Sequence, residues 1–164
     1  GCAGGRDTNY FKNQGFRAVG VDFSAGKIAY AKSKYPGINF MEADMLKLVE
    51  NFPKTKFDGI FVYAALDHLK KADISKAIVN FNQILKSNGI FFVVARKGKG
   101  VLWTDDSYSQ HLKRRFTLIE GDELQKILRK NSFEIERFET FSSLTRQNME
   151  FNLVLCRKSL LKLM

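Results

Sequence analysis

Seven residues at the start of the chain, GCAGGRD, combine small side chains with a following stretch that can form a helix. Such a turn lets the backbone fold tightly and bring its N–H groups close to a ligand, with the helix N-terminus favouring negative charge. Gly1 and Gly5 would supply the conformational freedom, and Ala3 is small enough to stand where a third glycine often does. Asp22 lies 17 residues after Gly5, at the end of an apolar run. An acid there is suited to accept hydrogen bonds from the two hydroxyls of a ribose, while Ser24 is better placed to cap the next helix. These residues describe a site for a nucleoside-containing cofactor. A nicotinamide dinucleotide and S-adenosylmethionine both satisfy that description.

The elements needed to hold this site in place alternate along the chain. Arg6–Asn13 reads as a short helix closed by Gly15, and Phe16–Phe23 as a buried strand ending in the acid. Ser24 caps a predicted helix through Lys34, Tyr35–Gly37 breaks it, and Ile38–Ala43 forms the next strand. Phe57–Ala65 is a further apolar strand. Ile74, Ala77, Ile78, Phe81, Ile84 and Leu85 recur on one helical face, and Ser87–Gly89 is expected to end that helix before the strand Ile90–Ala95. Strands that are apolar throughout, separated by amphipathic helices, predict a doubly wound α/β sheet, mostly parallel. After a helix marked by Leu124, Ile127 and Leu128, the segments Phe133–Thr140 and Asn148–Cys156 predict an antiparallel hairpin closing one edge.

The chain of 164 residues, with 45% hydrophobic residues, fits one domain with a substantial core. Its net charge of +10 raises the prospect of nucleic acid, an anionic surface or an anionic substrate without choosing among them. The basic residues are dispersed between apolar segments, which also suits a solvated surface. Cys2 and Cys156 show no metal-ligand spacing, so no metal site is proposed and a reducing, cytoplasmic setting is expected. No apolar run reaches about 18 residues, so no membrane span or secretory signal is expected.

The stretch GCAGGRDTNYFKNQGFRAVGVDFSAGKIAYAKSKYPGINFMEADM resembles the first half of class I S-adenosylmethionine-dependent methyltransferases, particularly their small-molecule branch. The resemblance continues through FDGIFVYAALDHL, through ILKSNGIFFVVARKGKG, where relatives typically have LKPGG and a strand, and through RRFTLIEGDELQKIL. It implies a Rossmann-like fold, S-adenosylmethionine as cofactor and methyl transfer to a small molecule. It assigns Gly1, Cys2, Ala3, Gly5 and Arg6 to the methionine part, Asp22 to the ribose with Ser24 beside it, and Phe23 to packing on the adenine. Asp44 would accept the adenine amino group with the Met45 backbone beside it, and Ala64, Ala65 and Leu66 would lie beneath the transferable methyl. Asp67 and His68 are the candidate catalytic residues, as proton acceptors for a hydroxyl or amine.

Where relatives often carry asparagine and serine, this chain has Tyr63 and Ala65, and Asp67 replaces an apolar residue. Where relatives often have acids, it has Arg96, Lys97, Gly98, Lys99 and Gly100; this loop is expected to overhang the pocket and favour an anionic acceptor. A tRNA or rRNA methyltransferase, supported by the positive charge, and a non-catalytic binding module stand as alternatives. In relatives a helix and a strand precede the glycine loop, and that strand lies between those corresponding to Phe16–Phe23 and Phe57–Ala65. The expectation is therefore a sheet without that strand, in a natural protein longer at its N-terminus or completed by another chain; without it a gap of roughly 9.6 Å would separate the two flanking strands.

Overall fold

The computed structural model describes residues 1–54, 56–106, 109–143 and 149–160. It divides into two compact units, Gly1–Pro53 and Lys54–Met164.

In the first unit, α1 (Arg6–Asn13), β1 (Val19–Asp22), α2 (Ala25–Lys34), β2 (Asn39–Glu42) and the short α3 (Leu48–Asn51) follow in order. Helix α1 has the expected bounds and ends before Gly15, whose φ is +88°. Ser24 caps α2 by accepting from the Lys27 N–H at 3.4 Å. Strand β1 is shorter than the expected Phe16–Phe23, since its pairing with β2 runs only from Val19 to Asp22, and Phe16 and Phe23 are exposed. It pairs in parallel with β2, Val19 opposite Asn39 and Asp22 opposite Glu42. The core of this unit is Ile28, Ala31 and Phe40, with Cys2, Tyr35 and Ile38 packed against it.

Gly5 sits at φ +83°, and a Cβ built there would lie 2.6 Å from Phe40 Cζ. Backbone handedness and close packing therefore both require glycine. Gly5→Ala is expected to lower stability by at least about 2 kcal/mol, combining the left-handed penalty with overpacking. A urea midpoint followed by circular dichroism checks this, and an unshifted midpoint would contradict it.

The second unit contains β3 (Phe57–Tyr63), a 3-10 turn (Leu66–His68), α4 (Lys71–Ile84), β4 (Leu85–Arg96), β5 (Val101–Asp106), β6 (Ser109–Thr117), α5 (Gly121–Lys130), β7 (Phe133–Ser142) and β8 (Glu150–Lys158). Its sheet has the order β3-β4-β8-β7; β3 and β4 are parallel, and β8 is antiparallel to both β4 and β7. The expected antiparallel hairpin is thus present, with β7 at the edge; the expected start of its second strand, Asn148, lies outside the described residues. The predicted apolar face of α4 is buried at Ile74, Ala77, Ile78, Phe81 and Ile84, and α5 buries Leu124 and Leu128. Ser87–Gly89 do not separate α4 from its strand: β4 starts at Leu85, opposite Phe57, and the irregularity falls inside the pairing before Gly59 meets Ile90. Asn88, at φ +63°, absorbs the bend. The pair β5–β6, antiparallel and joined to neither of the other sheets, has no counterpart in the predicted elements.

Cys156 is fully buried in β8, its thiol donating to the Phe91 carbonyl at 3.3 Å. Burial, helped by the charge of Glu136, pushes the thiol up to about 12 from an ordinary 9.0. A raised folded value means its contribution to stability is complete below pH 9 and is lost as pH climbs from 9 towards 12. Cys156 is therefore expected to resist a thiol-exchange reagent at pH 8 until urea unfolds the chain; prompt labelling of the folded protein at this position would contradict its burial.

Among the described residues no helix is long and apolar enough to cross a membrane.

Candidate functional site

In the first unit the glycine turn is laced to the end of β1. Cys2 N–H donates to the Val21 carbonyl at 2.8 Å, and Gly5 N–H to the Cys2 carbonyl at 2.9 Å. Ala3 takes a positive φ of 47°. The Asp22 carboxylate organises this arrangement. Its Oδ2 accepts the Ala3 N–H at 2.9 Å and its Oδ1 accepts the Ser24 N–H at 3.0 Å. A carboxylate has about four acceptor positions, so these two bonds leave capacity for two hydroxyl donors.

The parallel register brings the second acid to the same end of the sheet. Asp22 is opposite Glu42, and its carbonyl accepts the Ala43 N–H at 3.0 Å, so Asp44 follows immediately beyond. Asp44 holds its own turn by accepting the Leu46 N–H at 2.8 Å, and Met45 beside it is half-buried. Phe23 is 75% exposed next to Asp22. No side chain among the described residues caps the N-terminus of α1, where Gly5 stands and Arg6 begins the helix. The unit thus offers backbone donors, a ribose-type acceptor, an open aromatic ring and a second acid. In donor and acceptor chemistry these residues are compatible with the parts of S-adenosylmethionine that the resemblance implies for them.

In the second unit β3 ends in a strained backbone. Ala64 has φ +48° and donates its N–H to the Val94 carbonyl at 2.8 Å. Ala65 and Leu66 are buried, and the chain turns through Leu66–His68. Asp67 and His68 then face different surroundings. His68 is exposed, its ring centroid 5.0 Å from that of Phe116. Asp67 is 1% exposed.

Two expectations need correction here. Arg96 does not overhang a pocket: it is the last residue of β4, only 4% exposed, and its Nη1 donates to Asp67 Oδ2 while its backbone N–H donates to Asp67 Oδ1 at 3.3 Å. A buried guanidinium must be paired, and Asp67 is its counterion. For the same reason Asp67 is not an open proton acceptor. Burial pushes its carboxyl above the ordinary carboxylate range, opposed by the Arg96 charge. Lys97 pairs with Glu150 at 3.0 Å, which leaves Lys99 as the exposed cation of that loop.

The antiparallel pair β5–β6 is an element near the turn after β3 that the sequence reading missed. Leu102 is opposite Phe116, Trp103 opposite Arg115, and Asp105 opposite Lys113. Trp103 is 58% exposed and Lys113 is exposed. The pair is tied to the turn after β3, since the Leu69 carbonyl accepts from Thr117 Oγ1 at 2.5 Å and from Arg115 Nη1 at 3.3 Å. The available signal was VLWT facing RRFT in the sequence, two β-prone stretches separated by polar residues.

A sequence profile described as "Methyltransferase domain" matches residues 1–93, more than half of the chain. The chain belongs to this methyltransferase domain family. An uncharacterized methyltransferase of Synechocystis is 30% identical over 95 residues, which are 57% of this chain and 43% of that protein, so the match spans less than half of the relative's length. Among solved structures, a SAM-dependent methyltransferase from Methanosarcina mazei superposes with a TM-score of 0.80 at 18% identity, covering 98% of this chain and 91% of its own. The 1,6-didemethyltoxoflavin-N1-methyltransferase of Burkholderia thailandensis, solved with 1,6-didemethyltoxoflavin and S-adenosylhomocysteine bound, gives 0.77 at 20% identity, over 97% of this chain and 68% of its own. The fold is the α/β Rossmann-like methyltransferase fold.

Proposed function

We propose that the protein catalyses S-adenosylmethionine-dependent methyl transfer to a small acceptor. The observation that carries this reading is Asp22, whose carboxylate holds both the glycine turn and the start of α2 and keeps acceptor capacity for a ribose. Gly1, Cys2, Ala3, Gly5 and Arg6 would surround the methionine part, Asp22 and Ser24 the ribose, and Phe23, Asp44 and Met45 the adenine. The family resemblance assigns Ala64 and Ala65 to the methyl group. The cofactor, when bound, supplies an activated methyl on a sulfonium, so the chain's own task is to align the acceptor and exclude water. His68 is exposed and suited to take a proton from a hydroxyl or amine acceptor. The 1,6-didemethyltoxoflavin enzyme lends weight to a small acceptor, and Lys99 and Lys113 are the cations we assign to an anionic one.

Calorimetry with S-adenosylmethionine, S-adenosylhomocysteine and NAD, run side by side, tests the reading. Binding of the first two and not NAD is expected, and binding of NAD alone would overturn it. A second reading, methylation of tRNA or rRNA, is favoured by the exposed Trp103 beside Lys113, Arg114 and Arg115 in a chain of net charge +10. It requires tight RNA binding with a steep logarithmic salt dependence, which a small anionic acceptor would not show.

A further inference from the structure

The fold makes Asp67 and Arg96 partners. They stand at the carboxyl ends of two adjacent parallel strands, with Tyr63 of β3 opposite Val94 of β4. Arg96 reaches further than its counterion. Its guanidinium carbon lies 3.8 Å from the centroid of the Phe116 ring on β6 and 5.6 Å from that of Phe151 on β8, and its carbonyl accepts the Ile119 N–H at 3.0 Å. One buried cation thus joins the turn after β3, the β5–β6 pair and β8. A planar, stacking, multiply donating group is needed for this, which lysine does not provide.

His68 lies between two ties. On one side Asp67 is held by Arg96; on the other the Leu69 carbonyl is held by Thr117 and Arg115. Its ring also rests near Phe116, the ring approached by Arg96 and, at 5.5 Å, by Arg114. We propose that Arg96 is a positioning residue: through Asp67 and Phe116 it clamps the β5–β6 pair onto the turn after β3 and so fixes the His68 imidazole at the acceptor side. The word acceptor rests on the methyl-transfer reading above; the clamp itself does not. Asp67 serves as the counterion that orients the guanidinium.

The test uses the whole chain and three variants, Arg96→Lys, Arg96→Met and Phe116→Leu. The ring-proton resonances of His68, assigned by their loss in His68→Gln, report its place beside Phe116, and amide exchange reports local opening. Arg96→Met is expected to move the His68 resonances towards those of a free imidazole and to speed exchange in residues 64–69 and 115–119 about tenfold or more, with Arg96→Lys intermediate. Exchange in β1 and β2 and affinity for S-adenosylhomocysteine should stay at wild-type values. If the Arg96 variants do not fold, Phe116→Leu carries the same readouts. Unmoved His68 resonances in the folded variants, or exchange raised uniformly along the chain, would overturn the clamp. Failure of the wild type to bind S-adenosylhomocysteine would instead overturn the methyl-transfer reading and leave these measurements standing.

Discussion

Replacing Asp22 with alanine is expected to weaken S-adenosylmethionine binding roughly tenfold or more, because hydrogen bonds to a charged acceptor are worth about 1.5 to 3 kcal/mol each and two to the ribose are proposed. The same side chain also accepts the Ala3 and Ser24 N–H groups, so the variant loses the brace of the glycine turn along with the ribose contacts. Asp22→Asn separates these roles. One amide oxygen can still accept an N–H, but the amide nitrogen would face another N–H and repel it. Its affinity should therefore fall between wild type and alanine. Calorimetry on the folded variants gives the answer, and an alanine variant with unchanged affinity would remove the ribose assignment.

The second large effect is on stability. Asp67→Ala leaves the Arg96 guanidinium buried without its counterion and is expected to cost about 3 to 5 kcal/mol, far more than deletion of an exposed ion pair. The contrast within this chain is Arg6 with Asp7, where the side chains are 85% and 40% exposed and little change is expected from removing either. Replacing both buried partners, as in Asp67→Leu with Arg96→Met, should recover a large part of the loss, since the penalty lies in the unpaired charge. Urea unfolding of Asp67→Leu, Arg96→Met and the double variant measures this as a cycle. A double variant no more stable than Asp67→Ala would show that the pair's geometry, and not its charge balance, carries the stability.

How far the sequence reveals these features depends on how local they are. Helix α1, the Ser24 cap and the apolar face of α4 are written in residues within a few positions of each other, and they stand where predicted. The acid at the end of β1 was legible for the same reason, as a strand end close to a glycine turn. The β5–β6 pair was not, because SQHLKRRFT carries two apolar residues among charged ones and Phe116 packs against groups distant in the chain, Arg96 and His68. Asp67 and Arg96 lie 29 residues apart, and each was visible alone as an oddity. Opposite charges at the ends of two neighbouring parallel strands were the clue. Read separately, one became a proton acceptor and the other a loop cation, since only the strand order brings them together.

The sheet order β3-β4-β8-β7 also bears on how the protein is made. Strand β4 receives its second neighbour from residues 150–158, more than fifty residues later in the chain. During synthesis, at about 5 to 20 residues per second, β4 therefore emerges several seconds before β8 can cover it. Phe91 and Val93, fully shielded in the finished sheet, have one open hydrogen-bonding edge beside them throughout that interval. The nascent second unit is thus most exposed to misassociation just before β8 leaves the ribosome, and a chain stalled before residue 150 would present that edge to chaperones or to another copy of itself.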